Sequence, residues 1–204
     1  MTGIHGDEVR VGVPGNLYAA PKGTTPPADT TTAWGVGWVD LGFLSEDGFT
    51  MTPAIESDDL MVWQSYAAVR KLLTSRTLEL KFTLMQLDNE TVLLAFGGGA
   101  FTTTGTDYKY TAPTGGTVDE RTFGLEVRDG TLKYRFHFPR GMVTDIGDIP
   151  IVKTDAIKFE LTAAIFAVDD VTPLFSFVTN DPSMNPATLL SIEAQAEPQP
   201  AEAA

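Results

Sequence analysis

A chain of 204 residues, 43% hydrophobic and 20% charged, has the composition of a globular protein. It is long enough to bury about 70% of its unfolded surface. With 14 Lys and Arg against 27 Asp and Glu, its formal net charge of −13 repels phosphate backbones and argues against tight nucleic-acid binding. The absence of cysteine excludes disulfides, thiolate zinc sites and cysteine nucleophiles, so stability must come from packing and sheet pairing.

No apolar run approaches the ~18 residues that span a bilayer. Residues 1–8 lack the basic start and apolar core of a signal peptide, so synthesis in a cytoplasm with no membrane partner is expected. Val9, Val11 and Val13 then alternate, with Leu17 and Tyr18 beyond Pro14-Gly15-Asn16, which reads as an extended arm with a break. Residues 22–32, opening Lys22-Gly23-Thr24-Thr25-Pro26-Pro27, have no periodicity and read as a loop. Residues 36–44 and 48–55 read as a hairpin turning at Ser45-Glu46-Asp47-Gly48. Residues 57–75 stay open: Leu60, Met61, Trp63, Tyr66, Ala67, Val69, Leu72 and Leu73 suit a helical stripe or two short strands.

Leu78, Leu80, Phe82 and Leu84 alternate with Thr77, Glu79, Lys81 and Thr83, the period of a strand with one dry and one wet face. An acidic cap at Asp88, Glu90 in the first turn and the run Gly97-Gly98-Gly99 predict a helix of about three turns near residues 88–97. Residues 107–112 suit an edge strand. Phe123, Leu125 and Val127 face Leu132, Tyr134, Phe136 and Phe138 across Asp129-Gly130, a strong hairpin signal. Further strands are expected at residues 142–146 and from Ile157 to Phe159, Leu161, Ala163 and Ile165. The chain closes on an acidic, Pro- and Ala-rich segment expected to be disordered.

The expected fold is mainly β: an antiparallel sandwich or barrel with one flanking α-helix and extended arms. Residues 1–35 form an N-terminal arm and loop in this reading, 36–180 the β domain, and 181–204 a C-terminal tail.

A catalytic centre is hard to assemble from these residues. His5 and His137 are the only histidines, and His137 falls on the polar face of the strand from Leu132 to Phe138, beside Lys133 and Arg135. The carboxylate groups Glu46/Asp47, Glu56/Asp58/Asp59 and Asp169/Asp170 sit in turn-like contexts and lack calcium-loop spacing. The glycine run follows a helix where a phosphate cradle precedes one, and it has no accompanying Lys-Ser/Thr. No enzyme activity, cofactor or metal is expected. Trp34, Trp38 and Trp63 suit core or interface better than a sugar platform. The sparse basic trio Arg70, Lys71 and Arg76 suits acidic groups on a neighbouring subunit.

The succession Asp40-Leu41-Gly42-Phe43-Leu44, Gly48-Phe49-Thr50, Ile55-Glu56, Leu78-Glu79-Leu80-Lys81-Phe82, Asn89-Glu90-Thr91 and Gly97-Gly98-Gly99 resembles the major tail proteins, or tail tube proteins, of long-tailed, non-contractile bacteriophages. Residues 15–24, Gly15-Asn16-Leu17-Tyr18-Ala19-Ala20-Pro21-Lys22-Gly23-Thr24, are similar to the opening segment of that family, and the resemblance runs from about Glu8 to Asn180. It implies a sandwich flanked by a helix, with hexameric rings stacked into a virion tube whose inner wall is a continuous β-barrel. It also implies contacts with tape measure, tail terminator and distal tail proteins, and passage of double-stranded DNA without specific binding. On that model the lumen candidates are Thr77, Glu79, Lys81, Lys158, Glu160 and Thr162. The subunit-interface candidates are Val9, Val11, Trp34, Trp38, Trp63, Arg70 and Arg76. Competing classes are a head decoration subunit, a carbohydrate-binding or adhesin-like sandwich, and a hydrolase that uses the carboxylates.

Overall fold

The computed structural model describes residues 9–12, 14–115, 118–169 and 171–186. Among them the strands are β1 (Gly15–Pro21), β2 (Val39–Asp40), β3 (Leu44–Val62), β4 (Ser65–Leu84), β5 (Ala100–Thr104), β6 (Asp107–Thr111), β7 (Arg121–Asp129), β8 (Leu132–Ile146), β9 (Phe159–Ile165) and β10 (Ser176–Thr179). One α-helix, α1 (Asn89–Ala95), follows β4, and a 3₁₀ turn spans Pro182–Met184. Every pairing is antiparallel. The main sheet runs β2-β1-β7-β8-β9-β4-β3 with β10 also on β8, while β5 and β6 make a separate hairpin.

This one sheet supplies both layers of the core because β8 changes neighbours along its length. Its first half pairs with β7 and β10, and its last residues pair with β9. The change falls at Pro139-Arg140-Gly141, where proline withholds a ladder donor and glycine leaves room for a fold. A Cβ at Gly141 would stand 2.7 Å from Ile165 Cδ1 and 3.0 Å from the Phe123 ring. The sheet therefore doubles over, and its halves meet face to face: Phe82 lies 6.3 Å from Phe123, and Phe49 6.3 Å from Phe138. It does not close into a barrel. Between its end strands lies a groove of about 860 Å³, lined among others by Asn16, Asp40, Phe43, Phe49 and Leu125.

The alternation of β4 and β9 is realised as expected, with Leu78, Leu80, Phe82, Leu84, Phe159, Leu161, Ala163 and Ile165 all in the core. The Asp129-Gly130 hairpin also forms, with Gly130 at φ 58°. Helix α1 starts with a reciprocal cap: Asp88 Oδ1 accepts from the Thr91 N–H at 2.8 Å, and Thr91 Oγ1 from the Asp88 N–H at 3.0 Å. It is shorter than predicted, seven residues, because Gly97, Gly98 and Gly99 all take positive φ and end it early. Phe96 then packs against Tyr110 and Phe159.

Two expectations are corrected, and one open segment is decided. The hairpin over residues 36–55 does not exist: Glu46, Asp47 and Gly48 lie at a register shift inside the continuous β3, whose partner is β4. Residues 57–75, open between a helix and two strands, are strand on both sides of a turn at Trp63-Gln64, the outer reach of the β3–β4 hairpin. Residues 15–21, read as part of an arm, are a full sheet member, because β1 pairs with β7 along its whole length and buries Leu17, Ala19 and Ala20.

Candidate assembly interface

β9 covers β4 only along residues 78–84, and β3 is the last strand of the sheet. Past that cover the hairpin leaves the body as a two-stranded ribbon, and no other strand among the described residues pairs with either of its outer edges. Ile55, Met61, Val69 and Leu73 on it are more than half exposed, and Trp63 at the turn is 99% exposed. A monomer gains nothing by holding such side chains in water, and exposed apolar side chains in this number are a feature of surfaces that meet other chains. Arg70 and Arg76 are also exposed and have no ion-pair partner among the described residues, whereas Lys71 reaches Asp59 at 3.3 Å.

The wet face of the sheet gathers most of the lumen candidates. Opposite the buried Leu78, Leu80 and Phe82, the side chains of Thr77, Glu79 and Lys81 are exposed. Register sets Lys81 beside Thr162 and Thr83 beside Glu160, with Thr50 and Thr52 flanking on β3 and Asp145 on β8. The surface mixes threonines with the charges of Glu79, Lys81, Asp145 and Glu160. Lys158 stands apart, just before β9, and pairs with Asp155 at 2.8 Å. That bond and the Asp155 charge raise the pKa of the lysine, with the charges of Asp47 and Glu46 adding to the effect.

Trp34 and Trp38 have an intramolecular role. Trp34 stacks on Tyr18 at 4.5 Å, meets Trp38 edge-on at 4.6 Å, and both are half-buried over Gly124. Their N–H groups donate to Glu126 Oε2 at 3.2 Å and to the Thr25 carbonyl at 3.0 Å. Beneath them Glu126, 1% exposed, receives Arg135 at 2.7 Å and Arg128 at 2.5 Å. Burial works against the charge of Glu126, but the Arg128 hydrogen bond and the nearby Arg135 charge outweigh it, leaving its pKa below the ordinary carboxylate value. Arg135 also donates to the carbonyls of Asp29 and Thr32, at 2.8 and 2.5 Å, and so ties loop 22–38 to the sheet.

The phage tail tube protein family matches residues 2–189, nearly the whole chain. The chain belongs to that family. Phage tail tube proteins are structural components of the virion tail and assemble into a multimeric tube, so self-association follows from membership. No curated protein matches the chain in sequence. Among solved structures, a chain of the "virion of native gene transfer agent (GTA) particle" is similar at 12% identity and a TM-score of 0.39, over 86% of this chain and 99% of that one.

For a tail tube subunit the remaining candidates divide. Val9 and Val11 are exposed at 73% and 63%. Arg10 between them turns inward, to Tyr134 Oη at 2.9 Å and Asp181 at 2.8 Å. Tyr134 donates to the same Asp181 carboxylate, and these bonds, the one from Tyr134 foremost, hold its pKa far below the usual range. Both ends of the described chain are thus pinned to β8. Val13, His5, Asp170 and residues 187–204 of the acidic segment lie outside the described residues. Sequence reasoning missed Glu126, Arg135 and Asp181. The signal for the first two was a charge of each sign on strands whose neighbours are apolar, directly opposed once the Asp129-Gly130 register is fixed. Among the described residues, no three His, Cys, Asp or Glu side chains converge as a metal site. Asp169 caps its own turn, accepting from the Val171 N–H at 2.9 Å.

Proposed function

We propose that this chain is the repeating subunit of a tail tube in a long-tailed, non-contractile phage, forming hexameric rings that stack around a solvent-filled bore for genome delivery. The observation that carries the reading is the exposed ribbon with an apolar tip, whose two edges no other described strand covers, a surface that is costly in a monomer and would be satisfied by neighbouring copies. Thr77, Glu79, Lys81, Glu160 and Thr162 share a wet sheet face suited to the bore, and Lys158 stands at its margin. A polar wall in a chain of net charge −13 lets a polyanion slide without holding it. Arg70, Arg76 and Trp63 belong to the subunit contact in this reading, along with Val9 and Val11. Trp34 and Trp38 support it indirectly by fixing loop 22–38. Assembly in the host cytoplasm around a tape measure protein, ended by terminator and distal tail proteins, completes the proposal. Electron microscopy of the purified chain tests it: rings or hollow filaments are expected, and compact monomers at high concentration would overturn it.

A further inference from the structure

The charges on the ribbon are sorted by strand. Glu56, Asp58 and Asp59 lie on β3, whereas Arg70, Lys71 and Arg76 lie on β4, and all six are exposed. The internal register does little to neutralise them: Asp58 stands opposite Leu72, Arg70 opposite Leu60 and Arg76 opposite Ile55. Glu56 accepts from the Ser75 hydroxyl at 3.0 Å, and among the described residues Lys71–Asp59 is the one ion pair between the strands. The ribbon therefore has an acidic edge strand and a basic edge strand, neither covered by a further strand among the described residues.

Resting on the tube reading, we propose that this segregation fixes the polarity of the subunit contact, with the acidic β3 edge of one copy docking on the basic β4 edge of the next. Copies related by rotation about a ring axis keep their ribbons pointing the same way. β4 of one is then antiparallel to β3 of its neighbour, and the hairpin pattern continues across the joint. Two-fold pairing would instead set β3 against β3 or β4 against β4, with like charges opposed, which is unfavourable. The charges disfavour an isologous dimer and select a head-to-tail joint that can close into a ring.

The test uses two full-length variants, Glu56→Lys/Asp58→Lys with both edges basic and Arg70→Glu/Arg76→Glu with both edges acidic. All four positions are exposed outside the core, so each variant should melt as wild type does. Under conditions where the wild type assembles, each alone should lose assembly by sedimentation and electron microscopy. An equimolar mixture should recover it, because basic and acidic copies can alternate. Either variant assembling alone like the wild type, or folded variants failing to recover on mixing, overturns the edge assignment and leaves the tube reading intact. A wild-type chain that stays monomeric overturns both.

Discussion

Residues 65–77 and 78–84 belong to one strand, β4, yet obey different rules. In the second segment Leu78, Leu80, Phe82 and Leu84 are at most 3% exposed, and their polar alternates face water. In the first, Val69, Leu72 and Leu73 are 61%, 43% and 55% exposed, and the alternation dissolves. β9 and the facing half of the sheet account for the difference, since a period of two is enforced only where one side of a strand is dry. Apolar residues on the ribbon are free of the demands of a core and available to those of a contact.

Replacing one apolar residue in each segment is the sharpest way to break that comparison. Phe82→Ala removes a ring that packs on Phe49 and Phe123, and should destabilise the monomer by about 3–5 kcal/mol in chemical denaturation. Leu72→Ser should change monomer stability by no more than about 0.5 kcal/mol while weakening assembly. Equal losses from the two substitutions would mean that the ribbon is part of the folding unit, and the contrast would collapse.

The same contrast explains what was legible in advance. β4, β9 and the β7–β8 hairpin could be read because each has a dry side and its turn chemistry agrees with the pattern. β3 could not, because Glu46-Asp47-Gly48 carries the composition of a turn and is in fact a register shift within one strand; only the long-range pairing with β4 distinguishes the two. Nor could β1, since Pro14-Gly15 suggests a break just where a strand begins. Among the candidate residues, Thr77, Glu79, Lys81, Glu160 and Thr162 were gathered by alternation alone. No local pattern shows that Gly124, 86 or more positions away, leaves Trp34 and Trp38 a seat.

A polar counterpart to the core test lies under that seat. Arg135→Ala leaves Glu126 buried with one arginine fewer and releases the Asp29 and Thr32 carbonyls, so a loss of about 3 kcal/mol is expected. Tryptophan fluorescence should report loosening of loop 22–38. Gly124→Ala acts on the same place more mildly. Its Cβ would come within 2.4 Å of the Trp34 ring, so the indole must shift, at about 1–3 kcal/mol and with a red-shifted emission. Neither change touches the ribbon. If either abolished assembly while leaving the melting transition intact, the division between body and contact surface would need redrawing.

The smallest expected effect is a pH dependence confined to the body. Burial lowers the pKa of His137, whose Nε2 is buried without a partner beside Trp38, in a pocket that Lys22 also lines. A histidine held neutral in the fold is protonated more readily when unfolded, so stability should begin to fall as pH drops below about 6.5 and keep falling to the lowered native value. Glu120 behaves differently. Hydrogen bonds from Arg140 and then Lys22 bring its pKa down to about 2, so the stability it contributes is present above its unfolded value and is lost as pH falls towards about 2. The windows are separate, and His137→Gln should flatten only the upper one in melting curves taken between about pH 7 and pH 5. An unchanged slope in that variant would assign the upper window to another group. The ribbon carries no histidine, the side chain whose ordinary charge change falls in that range. Assembly should therefore be insensitive to pH across a range in which the stability of the body is not.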